Sequence, residues 1–220
     1  MRKKIIFDLD GTLIDVRERY YAVFCECCAV INISPLSKEK YLNLKRKGKK
    51  DSEILQEEYH LSSDEIINLK QYRNFILEES RYLDLDRLHE SVRPLLAELQ
   101  QKKYELVILS LRDNIDNGIN QLKKLGIFNC FSTVIFTGSI TDVKHHADRK
   151  YQRLIEHFLP HDFEGEYYVG DTATDIETSN KLGTKMILVS WGLDDMKRLD
   201  KSKISFIVEN FADLRKILMR

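Results

Sequence analysis

Asp8 and Asp10 flank a single leucine, directly after the apolar run Ile5-Ile6-Phe7 and directly before Gly11-Thr12. A carboxylate is a competent nucleophile toward phosphorus. A second carboxyl two residues on can protonate a leaving alkoxide and then deprotonate an attacking water. Like charges so close repel unless a cation or a shared proton compensates them, so the pair predicts a metal-assisted site. Gly11 and Thr12 suit a tight turn whose backbone N–H groups cradle phosphoryl oxygens. Taken alone, the fragment also reads as an aspartate-rich turn after a strand.

A second acidic pair, Asp171 and Asp175, follows the apolar run that ends at Gly170. Loops at the carboxyl ends of parallel strands meet at one rim of a sheet. Hard oxygen ligands from two such loops suit Mg²⁺. Asp171 is the better candidate for a direct ligand, because Asp175 also reads as an N-terminal cap of the next helix. Ser110 closes the run Glu105-Leu-Val-Ile-Leu-Ser110 at the level of Asp8, where a hydroxyl can meet a phosphoryl oxygen. A transferring phosphoryl group also calls for a cation. Lys150, placed where the pattern Lys150-Tyr-Gln-Arg-Leu154-Ile155 opens, is preferred, with Lys144 as runner-up. Either also reads as a solvated charge.

The elements that must position these groups are legible in the apolar pattern. Short, nearly continuous apolar runs at residues 4–8, 105–110, 132–136, 166–170, 185–190 and 204–208 are of the kind found in sheets covered on both faces. Helical patterns separate the later ones, as in Ile115, Ile119, Leu122 and Leu125, stopped by Gly126. The expected fold is an α/β doubly wound parallel sheet, Rossmann-like, with an inserted all-helical cap. Residues 15–85 read as the cap, with no convincing strand and with helix starts at Ser37 and at the capping box Ser62 and Glu65. Residues 1–14 and 86–220 read as the core, with short joints that allow a hinge.

Composition narrows the partners. The 35 basic and 35 acidic residues balance, which argues against nucleic acid and anionic membranes. Neither a membrane span nor a secretory signal is visible, so a cytoplasmic protein is expected. Cys25, Cys27, Cys28 and Cys130 read as reduced thiols packed as small hydrophobes, and oligomeric state is not legible. The run Lys45-Arg-Lys-Gly-Lys-Lys50 puts five positive charges around one glycine. It reads either as a solvated surface or as a cap loop that holds an anionic part of the substrate. Tyr20, Tyr21 and Phe24 read as packing within the cap.

The ordered set Asp8-Leu-Asp10-Gly-Thr12, Ser110, a lysine at 150 or 144, and Gly170-Asp171-x-x-x-Asp175 resembles the haloacid dehalogenase superfamily. Within it, the set is similar to the aspartate-nucleophile phosphatases with a helical cap. The resemblance implies that Asp8 is nucleophile and metal ligand, and that Asp10 is the general acid/base whose backbone carbonyl also meets Mg²⁺. Asp171 would be the other protein ligand, and Asp175 would orient metal-bound water. Leu9, Gly11, Thr12, Ser110, Leu111 and the lysine would surround the phosphoryl group. Dehalogenases of the superfamily lack an aspartate at the position of Asp10, so its presence favours phosphoryl transfer. Trp191-Gly192 is similar to a pattern in phosphoglycolate-phosphatase-like members. The implied activity is Mg²⁺-dependent hydrolysis of a small-molecule phosphate monoester. A sugar-phosphate mutase and a non-catalytic binding protein on the same fold are the alternatives.

Overall fold

Continuous apolar runs need cover on both faces, and a computed structural model describing residues 3–138, 145–193, 196 and 198–220 shows how they obtain it. The strands in chain order are β1 (Lys4–Phe7), β2 (Ile14–Asp15), β3 (Arg87–Leu88), β4 (Glu105–Ser110), β5 (Thr133–Phe136), β6 (Tyr167–Gly170), β7 (Lys185–Val189) and β8 (Phe206–Val208). Six of them form one sheet in the order β5-β4-β1-β6-β7-β8, every pairing parallel. Successive residues of a strand face opposite sides. Phe7 and Ile108 therefore join one apolar layer, with Leu96 of α6 (Val92–Gln101), Leu122 of α7 (Ile115–Lys124) and Leu214 of α10 (Phe211–Leu218). Ile6 and Val107 join the other, with Leu154 of α8 (His146–Ile155) and Ile176 of α9 (Ala173–Leu182).

The inserted cap carries α1 (Arg17–Val30), α2 (Lys38–Arg46), α3 (Asp51–Tyr59), α4 (Ser63–Ile76) and the short α5 (Ser80–Leu83). It has its own core, in which Val23, Phe24, Cys27 and Cys28 of α1 meet Tyr41, Ile54, Leu69 and Ile76. Phe24 stacks on Tyr41 at 4.6 Å between ring centres, and all four cysteines are free thiols. Ser37 caps α2, and Ser62 with Glu65 closes the capping box of α4, as the sequence predicts. No helix among the described residues is long and apolar enough to cross a membrane.

Two expectations need correction. A strand does occur before residue 85: β2 pairs antiparallel with β3, Ile14 opposite Leu88 and Asp15 opposite Arg87, so the outgoing and returning joints are zipped together. Two residues are too few to show alternation, which hides β2 from pattern reading. On α7 the buried face carries Gly118, Gln121 and Leu122, while Ile115 is 47% exposed. Gly118 lets Phe136 approach so closely that a Cβ there would lie 2.7 Å from its ring, while Ile119, Leu122 and Leu125 of the expected stripe pack on the core and only Ile115, at the start of the helix, lies outside it.

Candidate active site

The strand order reverses at β1, with β4 on one side and β6 on the other, and such a reversal opens a crevice at the carboxyl ends of the strands. Asp8 follows β1, and Asp171 and Asp175 follow β6; all three are buried, with carboxylate oxygens within 4.8 Å of one another. Lys150, 2% exposed, comes from the first turns of α8, which starts at His146 rather than at the lysine itself. Its Nζ donates to Asp8 Oδ1 and to Asp175 Oδ1, each at 2.6 Å, and to the Tyr168 hydroxyl at 3.3 Å. Lys144 lies outside the described residues. Burial pushes the Asp8 carboxyl up to about 7; Lys150 opposes this, and Asp175 and Asp10 add to it. Burial works against the Lys150 charge, yet Asp175 and Asp8 outweigh it and hold the ammonium well above its usual range.

Asp175 is committed on both oxygens. Oδ1 also accepts from the Tyr168 hydroxyl at 3.0 Å, and Oδ2 accepts from the backbone N–H of Thr172 at 3.0 Å and from its hydroxyl at 2.6 Å. Thr172 is the N-cap of α9 and Asp175 its reciprocal partner three residues on, so helix capping and site building coincide in one side chain. Asp171 accepts from the Thr12 hydroxyl at 3.1 Å. Two glycines make room for it: a Cβ on Gly11 would lie 2.4 Å from Asp171 Oδ2, and one on Gly192 only 2.1 Å away. Gly11 has φ +88°, and its N–H donates to the Ile14 carbonyl at 2.9 Å inside the turn rather than facing a ligand. The Leu9 carbonyl is likewise used within the turn, accepting from Leu13 and Ile14. Trp191 fixes the turn from outside, its Nε1 donating to the Thr12 carbonyl at 3.0 Å while its ring stacks on Phe211. Ser110 is buried at the end of β4 beside β1, and Leu111, partly buried, follows it.

Asp10 has different company. Arg112 forks onto it, Nη2 to Oδ1 at 2.6 Å and Nε to Oδ2 at 3.2 Å, and Arg19 Nη2 lies 2.9 Å from Oδ1. Burial alone would raise this carboxyl, yet Arg112 and Arg19 together hold it well below the usual carboxylate range. Neither arginine is marked by sequence reading. The available signal is the echo of Asp8-x-Asp10 in Ser110-x-Arg112, each pair sitting at the end of adjacent strands.

Above the acids is a cavity of about 210 Å³ lined by Asp10, Gly11 and Asp171 from the core and by Lys45, Lys49 and Lys50 from the cap. Lys45, Lys49 and Lys50 of the basic run therefore border this space, Lys45 paired with Asp51 and Lys49 with Glu57, and Tyr20 of α1 also turns toward it rather than only into the cap core. An all-carboxylate donor set fits a hard divalent ion such as Mg²⁺, and within it Asp175 already accepts hydrogen bonds on both oxygens.

The family model described as haloacid dehalogenase-like hydrolase matches residues 5–189. The chain belongs to that family. Individual proteins are similar along nearly the whole length. A pyrophosphatase PpaX of Bacillus velezensis is 30% identical over 213 residues, 96% of this chain and 93% of that one. A PpaX of Bacillus cereus is 28% identical over 97% of this chain and 95% of its own. Among solved structures, a haloacid dehalogenase-like family protein of Streptococcus pneumoniae superposes with a TM-score of 0.76 at 23% identity, covering 98% of both chains. One titled a predicted phosphoglycolate phosphatase, from Haemophilus somnus, gives 0.73 at 22% identity, covering 98% and 97%. These two likenesses establish the same sheet-and-cap fold. Family membership makes the chain a hydrolase.

Proposed function

We propose that the protein is a Mg²⁺-dependent phosphatase that hydrolyses a small phosphate monoester through an aspartyl-phosphate on Asp8. The observation that carries this reading is the convergence of Asp8, Asp171, Asp175 and Lys150 under a cavity that Asp10 and three cap lysines line. Residues 1–14 and 86–220 act as the core and residues 15–85 as the cap that closes over it. Asp8 attacks phosphorus; the new P–O bond to Asp8 forms as the bond to the leaving oxygen breaks, and Asp10, having turned out of its arginine fork and taken a proton from solvent, gives that proton to the leaving oxygen. Asp10 then takes a proton from water, whose oxygen displaces Asp8 and releases inorganic phosphate. Asp8 and Asp171 would hold the ion, which when bound neutralises phosphoryl charge and favours ionised Asp8. Lys150 and Ser110 balance and orient the phosphoryl oxygens. Four free thiols are in keeping with a reducing, cytoplasmic setting.

Lys50, together with Lys49 once it exchanges Glu57 for substrate, refines the substrate class to compounds with a second anionic group beyond the transferred phosphoryl. Pyrophosphate, a phosphoanhydride rather than a monoester and named for the Bacillus relatives, is the smallest compound with two such groups. The test is phosphate release from pyrophosphate, phosphorylated carboxylic acids, sugar phosphates and p-nitrophenyl phosphate with Mg²⁺, using Asp8→Asn as the blank. Turnover confined to the parent protein and strongest with multiply charged substrates is expected. Equal rates in the Asp8→Asn protein would refute the nucleophile.

A further inference from the structure

Five polar side chains close into a ring through which the site reaches the cap. Arg112, already forked onto Asp10, donates from Nη1 to Gln121 Oε1 at 2.5 Å. Gln121 Nε2 donates to Asp86 Oδ2 at 2.8 Å and to the Leu83 carbonyl at 2.7 Å. Asp86 Oδ1 accepts from Arg19 Nε at 3.1 Å, and Arg19 Nη2 returns to Asp10 Oδ1 at 2.9 Å. Arg19 lies on α1 of the cap, Asp86 on the returning joint, and Arg112 and Gln121 in the core. Arg19, Arg112 and Asp86 are 1%, 2% and 3% exposed, so both arginines and Asp86 are held away from water while Asp10 borders the cavity.

The weakest link is the last. Arg19 Nη2 is close enough to Asp10 for charge attraction but lacks hydrogen-bond alignment with any partner. The Arg112 fork occupies both oxygens of Asp10, so the carboxyl can carry a proton to a leaving oxygen only by turning out of it. Two buried guanidinium groups abandoned by their anion would be strongly unfavourable. Asp86 is the other anion in the ring, and Gln121 joins it to Arg112.

We propose that Arg19, Asp86 and Gln121 are positioning residues: they keep both arginines partnered while Asp10 turns to the leaving group, and they tie that turn to the cap through α1. The inference rests on the phosphatase reading with Asp10 as acid. With Asp86→Asn, Asp10 becomes the ring's remaining anion and stays parked against the arginines. The loss then falls on substrates whose leaving oxygen needs a proton.

The experiment compares kcat/KM, which covers the steps through leaving-group departure, for glycerol 2-phosphate and p-nitrophenyl phosphate. The intact Asp86→Asn protein should lose on the order of tenfold more with the alkyl ester, a part of the hundredfold or more that general acid catalysis supplies. Asp86→Glu, which keeps the charge, should restore most of the difference. Gln121→Met removes the hydrogen-bonded bridge between Arg112 and Asp86 without changing charge, leaving only their direct contact at 3.7 Å, and should show the same selectivity, on the order of threefold, if Asp86→Asn does not fold. Equal losses for the two esters in a variant that melts like the parent overturn the positioning role and leave the phosphatase reading standing. A parent that releases no phosphate from either ester, or an Asp8→Asn protein as fast as the parent, overturns that reading and the ring's role with it.

Discussion

Gly192→Ala should disable the site without removing any charged group. The new Cβ would lie 2.1 Å from Asp171 Oδ2, 2.4 Å from its Cβ and 2.5 Å from its Cγ. Carbon contacts settle at roughly 3.5 Å, so Asp171 or the loop must move by about 1 Å or more. Gly192 is not among the residues with positive φ, so alanine meets no backbone penalty and the whole effect is this collision. Displacing Asp171 strains its bond from Thr12 and carries a proposed ion ligand away from Asp8. A misplacement of that size costs on the order of 10²-fold in rate. Overpacking costs about 1–3 kcal/mol, and the melting temperature should fall by about 2–12 °C for a chain of this size. Initial rates with p-nitrophenyl phosphate across a Mg²⁺ titration, beside a thermal melt, provide the check. We expect kcat to drop about a hundredfold, as that misplacement implies, and the half-saturating Mg²⁺ concentration to rise. A variant within a few-fold of the parent, with unchanged Mg²⁺ dependence, would refute the claim that Asp171 is held where the ion binds.

Other outcomes follow from the same geometry. Lys49→Gln with Lys50→Gln should raise KM for pyrophosphate about tenfold, equivalent to about 1.4 kcal/mol, while leaving kcat and p-nitrophenyl phosphate kinetics nearly unchanged; equal effects on both substrates would count against a second anion subsite. Lys150→Met strands the buried Asp8 and Asp175 and should lower unfolding stability by about 3–5 kcal/mol, read by urea denaturation, with loss of turnover. In the cap, burial works against the Asp51 charge, but Arg73 and Lys45 outweigh it and hold the carboxyl below its usual range. Its stabilising contribution is therefore complete above about pH 4 and is lost as pH falls through the depressed value. The melting-temperature gap between parent and Asp51→Asn should accordingly be constant from pH 7 to 5 and shrink toward pH 3; a gap that widens on acidification would reverse the sign.

The sheet was legible because its strands are buried on both faces: β4 spans residues 105–110 as the apolar run predicts, and the others differ by a residue or two at their ends. The positions of Asp8 and Asp171 followed from where those strands stop. Arg19, Arg112, Asp86 and Gln121 were not legible. A buried charge is affordable only once its partners arrive from distant segments, and a linear sequence does not show which of 35 basic residues will meet them. Lys150 could be preferred over Lys144 from its place in a helical pattern, but its 2.6 Å contacts with Asp8 and Asp175 depend on the packing of α8 against α9. The basic run kept two readings open for the same reason, since only the placement of α2 and α3 decides whether it looks outward or down onto Asp171.

The β2–β3 ladder sets how the cap is attached. Paired antiparallel residues sit about 5 Å apart, so the polypeptide leaves the core and re-enters it through nearly the same point. To the parent sheet, an excursion of any length with such adjacent ends is topologically equivalent to a short loop. The cap could therefore be lengthened, trimmed or exchanged for an unrelated module without disturbing the strand order beneath it, which separates the inheritance of the chemistry from the inheritance of substrate choice.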